Sequence, residues 1–198
     1  MEGPSGNKNS KCIILSAGLS ERMNSHKALL SYNKKESFLL HIIKVYRGSG
    51  IKNISVIINP VLDSELRNDA YHGVAFIRNQ FPERGRLYSL QLGLQTEPEI
   101  DYCFVQNIDN PFVTREIIEK LYQSSGKADY ITPVYNNKGG HPILISSRVI
   151  RQILQIEKFD LTLRDELEKF SRYKVPVDDD KVLANIDTRE NYKKYFNH

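Results

Sequence analysis

The chain has 198 residues, 40% of them hydrophobic and 26% charged, which suits one globular domain with a full core. No apolar run reaches the roughly 18 residues that a membrane-spanning helix needs, so no such span is expected. The net charge of +4 is a mild surplus. It suits a protein that handles phosphates, and it lacks the concentrated basic stripe that would point to nucleic acid.

Met1 to Ser10 is polar and rich in turn formers, with no apolar core of a signal peptide. It is expected to be a flexible tail (residues 1–10), with residues 11–198 forming a single domain. The pattern then alternates strands and helices. Strands are predicted at Cys12–Ala17, Asn53–Ile58, Val74–Arg78, Tyr102–Ile108, Tyr130–Pro133 and His141–Ile145, with short edge segments near Tyr173–Val177 and Val182–Asn185. Helices are predicted at Ser37–Arg47, Leu62–Asn68, Leu87–Leu94, Arg115–Tyr122, Arg148–Ile156 and Leu161–Phe170. Ser37 caps the first helix, and Gly48 and Gly50 stop it. A repeat of about 20 to 30 residues per unit points to an α/β fold with a mostly parallel sheet. Ligands of such sheets bind at the carboxyl ends of strands. Cys12 and Cys103 both fall inside apolar strands and read as buried, reduced thiols, which fits a cytoplasmic protein.

The first strand runs straight into Ser16-Ala17-Gly18-Leu19-Ser20-Glu21-Arg22-Met23-Asn24-Ser25-His26-Lys27. Small residues there let backbone N–H groups approach a ligand closely. Arg22 and Lys27 follow at a spacing that lets two cations close on a polyphosphate. The loop is neither a P-loop nor a dinucleotide fingerprint, because the glycine spacings of both are missing. Gly85 lies in a small loop before a helix, where the helix N-terminus and the Ser89 hydroxyl can meet an anion. The strand at Tyr102 ends in Asp109-Asn110-Pro111. A carboxylate at that position is placed to hold Mg²⁺, a hard cation that takes one or two protein carboxylates plus phosphate oxygens. Thr114 is the better cap for the helix that follows, which leaves Asp109 for the metal. Asp187, after the segment at Val182, reads either as a second ligand or as a helix cap. His141 reads either as a structural residue at the start of a strand or as a ligand contact. Arg84 and Arg86 read as substrate contacts or as a solvated rim, and Arg164 as a substrate contact or an ion pair. Asp178-Asp179-Asp180 and Asn33-Lys34-Lys35-Glu36 read as a solvated acidic hairpin turn and a charged connection.

Taken in order, these segments resemble one family. The first loop is similar to the signature of MobA-like nucleotidyltransferases, Leu-Ala-Ala-Gly-x-Ser-x-Arg-Met-Gly-x-x-Lys. Ser16 stands for its first alanine and Asn24 for its later glycine. Gly85 to Gly93 resembles the family's Gly-x-x-x-Ser-Leu-x-x-Gly segment, and Asp109 to Val113 its Asp-x-Pro-x-Val element. Gly140-His141-Pro142 resembles its Gly-His-Pro turn on the acceptor side. Asn185 to Tyr192 resembles its Asn/Asp-Ile-Asp-Thr-Pro-Glu-Asp-Tyr ending, with Arg189 in place of Pro and Asn191 in place of Asp.

The resemblance implies a three-layer α/β/α, Rossmann-like nucleotidyltransferase fold. It implies transfer of a nucleoside monophosphate from an NTP to a phosphorylated acceptor, with release of pyrophosphate. Arg22 and Lys27 would be catalytic. Ser16, Ala17, Gly18, Leu19, Ser20, Gly85 and Ser89 would bind the nucleotide. Asp109 and Asp187 would hold Mg²⁺, with His141 and Asn185 on the acceptor side. Ala17-Gly18 resembles the MocA-like branch, which favours CTP and a molybdopterin acceptor, where the GTP-using branch usually carries Gly-Gly. Sugar phosphates and cobinamide phosphate are the alternative acceptors, and a nucleotide-binding regulator without catalysis is the alternative of another kind. The expected state is a monomer or small homo-oligomer that engages neither nucleic acid nor membrane.

Overall fold

A computed structural model describes residues 9–18, 23, 25–66 and 71–196. Its centre is an eight-stranded sheet. The strands are β1 (Ser10–Ser16), β4 (Asn53–Ile58), β5 (Val74–Arg78), β6 (Tyr102–Asn107), β7 (Tyr130–Tyr135), β8 (Lys138–Gly139), β9 (Ile143–Ser146) and β10 (Arg172–Pro176). A small separate hairpin pairs β2 (Ser31–Asn33) with β3 (Glu36–Ser37). The sheet order is β10-β7-β9-β6-β1-β4-β5, with β8 paired to β7. Pairs β1–β4, β1–β6, β4–β5 and β7–β10 are parallel, whereas β9 runs antiparallel to both β6 and β7.

Alternation along β1 sends Cys12 and Ile14 to one face and Ile13 and Leu15 to the other, and all four are buried. A strand buried on both faces needs helices on both sides. On the first face lie α1 (Phe38–Gly48), α2 (Pro60–Glu65), α4 (Arg115–Gln123) and α7 (Arg189–Tyr195). On the second lie α3 (Gly85–Gln95), α5 (Ser147–Leu154) and α6 (Leu163–Leu167). The result is the three-layer α/β/α fold. Gly93 makes the α3 contact close: a Cβ there would lie 2.9 Å from Ile13 Cδ1 and 3.0 Å from Ile57 Cδ1.

Four segments differ from the sequence reading. Val182–Asn185 is not an edge strand: a 3₁₀ turn spans Asp180–Leu183 and extended chain follows. Asp179 caps that turn by accepting from the Lys181 N–H at 2.9 Å, so the acidic run is a cap and not the bend of a hairpin. Asn33 to Glu36 is more than a charged connection, since it closes the β2–β3 hairpin, and Glu36 pairs with Lys44 at 2.7 Å. The helix expected over Leu161–Phe170 shrinks to α6, opened by a Thr162–Asp165 capping box.

β1 sits between β4 and β6. The chain leaves β1 toward β4 and β5 on one side, then crosses back to add β6 on the other. The loops after β1 and β6 therefore part from each other at this switch point, which opens a crevice between them.

Candidate active site

The crevice is a cavity of about 540 Å³, lined by Ala17, Gly18, Lys27, Gly85, Arg86, Ser89, Asp109 and Asp187 among others. Register brings its two main walls together: Leu15 of β1 pairs with Asn107 of β6, and the Ile108 N–H donates to the Leu15 carbonyl at 3.2 Å. Ala17 and Gly18 thus emerge beside Asp109. Their carbonyls accept from the Asn59 side-chain amide at 3.1 and 3.3 Å. Asn59, fully buried at the end of β4, also caps α2 by accepting from the Leu62 N–H at 2.8 Å. Among the described residues, no atom outside its immediate neighbours lies within 4 Å of where a Gly18 Cβ would stand.

Lys27 starts a short 3₁₀ turn, Lys27–Leu29, anchored by buried Ala28. Its Nζ lies 2.6 Å from Asp187 Oδ1 and 3.9 Å from Asp109 Oδ2. Arg86, in the first turn of α3, donates to the same Asp109 Oδ2 at 2.9 Å. Two carboxylates and two cations thus meet across four separate segments. Asp109 Oδ1 is buried and has no hydrogen-bond partner among the described residues. An orphaned carboxylate oxygen is costly unless a cation or donor completes it. Asp109 and Asp187 therefore fit a divalent metal that draws its remaining ligands from phosphate and water. Among the described residues no group of three or more His, Cys, Asp or Glu could hold a metal.

Asp187 owes its place to residues that sequence reasoning missed. Asn110, fully buried, reaches the carbonyls of Lys181, Val182 and Ala184 at 3.0, 3.2 and 2.6 Å. The Ile186 N–H donates to the Asp109 carbonyl at 2.7 Å, and the His141 N–H to the Val182 carbonyl at 2.9 Å. Gly140 permits that last contact, since a Cβ there would lie 2.4 Å from the Val182 carbonyl oxygen. Behind Asn110, the Gln106 amide donates to the Asn107 and Asn110 carbonyls at 2.8 Å each, while Tyr46 Oη donates to Gln106 Oε1 at 3.2 Å. The signal was present as amide residues directly after apolar strands. A buried amide there must find hydrogen-bond partners, and loop backbone is the nearest source of them. Thr188, not Asp187, caps α7, accepting from the Asn191 N–H at 3.2 Å.

A second cavity of about 930 Å³ adjoins the first, and Glu83, Gly85, Arg86 and Asn107 line both. Tyr130, Phe159 and Leu163 supply apolar wall, and Lys138, Arg164 and Arg172 bring positive charge. His141 lies here, with the Asn107 amide 3.0 Å from its Nε2. The amide donates, so the ring proton sits on Nδ1, which has no partner among the described residues. Burial lowers the His141 pKa from its ordinary 6.5, more than Asp109 raises it, and Arg86 lowers it further. The ring is therefore neutral.

The other expected residues divide. Gly85 takes φ of 82°, a conformation that glycine adopts without strain, and lines both cavities. Ser89 lines the first cavity, but its hydroxyl is engaged internally: it donates to the Gly85 carbonyl at 3.1 Å and accepts from the Asn79 amide at 3.0 Å. Ser16 is buried in β1 and lines neither cavity, because strand alternation turns it to the α1 face. Asn185 is exposed and lines neither cavity, because Ala184 and Ile186 on either side are the residues drawn inward. Arg84 stacks on Phe81 and Tyr88 at the rim of the second cavity. Arg164 lies 3.6 Å from Glu168 with 89% of its side chain exposed. Leu19, Ser20, Arg22 and Asn24 fall outside the described residues.

A family model of the MobA-like NTP transferase domain matches residues 12–173. The chain belongs to the MobA-like NTP transferase family. It is a nucleotidyltransferase, and the expected fold and enzyme class both hold. Among curated proteins, the molybdenum cofactor cytidylyltransferase of Escherichia coli K12 is 26% identical over 189 residues, covering 91% of this chain and 92% of that protein. Among solved structures, Rv0371c of Mycobacterium tuberculosis H37Rv superposes with a TM-score of 0.80 at 18% identity, covering 96% of this chain and 100% of that one. A complex of the same mycobacterial protein with manganese gives 0.75 at 17% identity, covering 96% and 99%. No helix among the described residues is long and apolar enough to cross a membrane.

Proposed function

We propose that this nucleotidyltransferase uses Mg²⁺ and CTP to cytidylylate a phosphorylated acceptor of the molybdopterin kind. The observation that carries this reading is the convergence of Lys27, Asp109 and Asp187 beside two confluent cavities. The similarity to the molybdenum cofactor cytidylyltransferase supports the acceptor and the nucleotide, and the manganese complex of the mycobacterial protein supports a divalent metal.

An acceptor phosphate oxygen bonds to the α-phosphorus, the bond from that phosphorus to the bridging oxygen breaks, and its electrons leave with pyrophosphate. The attacking phosphate is already ionised near neutral pH, so no general base is required. The obstacle is repulsion between anions, so catalysis rests on positioning and charge. Bound by Asp109 and Asp187, Mg²⁺ would supply charge neutralisation at the phosphate oxygens. Lys27, with Arg22, holds the triphosphate and stabilises charge growing on the leaving group. Ala17, Gly18, Leu19 and Ser20 cradle the nucleotide, with Gly85 on the opposite wall. The second cavity takes the acceptor, whose anionic groups meet Lys138 and Arg172, while His141 offers an N–H donor. Residues 11–198 act as one catalytic domain. The two free, buried cysteines suit a reducing, cytoplasmic setting.

The test is Mg²⁺-dependent pyrophosphate release with four NTPs against molybdopterin, sugar phosphates and cobinamide phosphate. CTP with molybdopterin is expected to give the highest kcat/KM. Preference for another pair replaces this substrate assignment, and nucleotide binding without turnover across the panel replaces it with a regulator.

A further inference from the structure

Arg86 has no part in the reading above, yet it is the cation that both cavities share among the described residues. Its guanidinium donates to Asp109 Oδ2 at 2.9 Å, while 59% of its side chain stays exposed. Lys27 Nζ stands 3.9 Å from that same oxygen and 2.6 Å from Asp187. Lys27 and Asp109 are nearly buried, with side chains 12% and 6% exposed. The four formal charges cancel. A divalent cation arriving alone meets carboxylates that are already compensated, with two positive charges in contact with its ligand atoms. Among the described residues, Asp109 Oδ1 is buried without a hydrogen-bond partner.

We propose that Arg86 and Lys27 form a counter-ion lock on Asp109 and Asp187, which keeps the carboxylate pair weak for divalent metal until a polyphosphate draws the cations off. This deepens the proposed function and rests on its assignment of the metal ligands. The physical ground is competition. A positive charge about 4 Å from a binding site repels an incoming divalent cation, and solvent screens that repulsion only in part. Removing one such cation should therefore tighten metal binding about tenfold or more. A triphosphate offers both cations several charge-assisted bonds in exchange, a better match for a guanidinium than one carboxylate oxygen. Metal and nucleotide then bind with positive coupling, and free metal does not fill the site first.

The test is titration of the full chain with Mn²⁺ alone, read by the electron paramagnetic resonance of free Mn²⁺. Wild type, Arg86→Met, Lys27→Met and the charge-preserving Arg86→Lys are compared after circular dichroism and thermal melting confirm their folding. Arg86→Met and Lys27→Met are each expected to tighten Mn²⁺ binding about tenfold, and Arg86→Lys to stay within about twofold of wild type. Arg86 lies on the surface, so its variants keep the test open if Lys27→Met folds poorly. Binding in Arg86→Met no tighter than wild type overturns the lock, as does equal tightening in Arg86→Lys. Wild-type turnover in the substrate panel is read separately, so loss of the functional reading and loss of the lock give different results.

Discussion

Asp109 carries more of this site than any other residue. Its carboxylate is nearly buried, shared between Lys27 and Arg86 on one oxygen and, among the described residues, unpartnered on the other. Asp109→Asn keeps the shape and removes the charge. It is expected to lower turnover by about two to three orders of magnitude while leaving the circular dichroism spectrum intact. Steady-state pyrophosphate release checks this, and near-wild-type turnover would remove Asp109 from the machinery. This residue was legible in the sequence because a carboxylate followed by a proline turn ends an apolar strand. Arg86 was not, because an Arg at the start of a helix reads equally as solvated rim. Only the 2.9 Å contact to Asp109 separates the two readings. Cys12 and Cys103 are as inert as the sequence suggested, and burial pushes the Cys103 thiol up to about 12.

The elements that place these residues are bound together by buried amides. Asn59, Gln106, Asn107 and Asn110 stand at the carboxyl ends of β4 and β6, the two strands that flank β1, where backbone leaves the sheet and loses its partners. Asn110 ties the 181–184 segment, and with it the approach to Asp187. Asn110→Ala should strip that segment of its side-chain donor and cost about 2–3 kcal/mol, measured as a drop in urea midpoint. Turnover should fall with it, by about tenfold or more, as Asp187 shifts. Unchanged stability and turnover would mean that the Ile186–Asp109 and His141–Val182 backbone bonds suffice. The core strands were legible because both faces of each are apolar, so no alternative pairing buries as much. Val182–Asn185 looked like a strand by the same rule. Its buried Val182 packs at Gly140 instead, and a side chain rather than a neighbouring strand satisfies its carbonyls. The C-terminal helix is held by rings: Phe196 stacks 5.5 Å from Phe112 and lies 5.0 Å from Phe38. Those contacts join residues far apart in the chain, which no local pattern reveals.

The molecule as a whole should respond to acid before its ordinary carboxylates titrate. His141 is held neutral mainly by burial, against Asp109, and burial lowers the His41 pKa as well, against Glu36. The unfolded chain takes up protons near pH 6.5 on both rings, and the folded chain resists. This contribution to stability is therefore complete above pH 6.5 and is lost as the pH falls from there toward the depressed folded values. The melting temperature is expected to fall between about pH 7 and about pH 5, and His141→Asn should flatten that slope. Equal slopes in wild type and variant would show that His141 is not the group responsible.

By itself the sequence determined the class of the fold and the phosphate-handling character of the protein. Apolar alternation, turn residues and strand-end charges are local, and they leave little freedom in where strands start and stop. The tertiary structure decided which charges meet. Lys27, Arg86, Asp109 and Asp187 come from four segments, and the strand order β6-β1-β4 with the Asn110 brace brings them within a few ångströms. It also left Ser16 inside the sheet and Asn185 in solvent. Such choices depend on long-range packing and on which backbone groups need a partner, and neither is written in a motif.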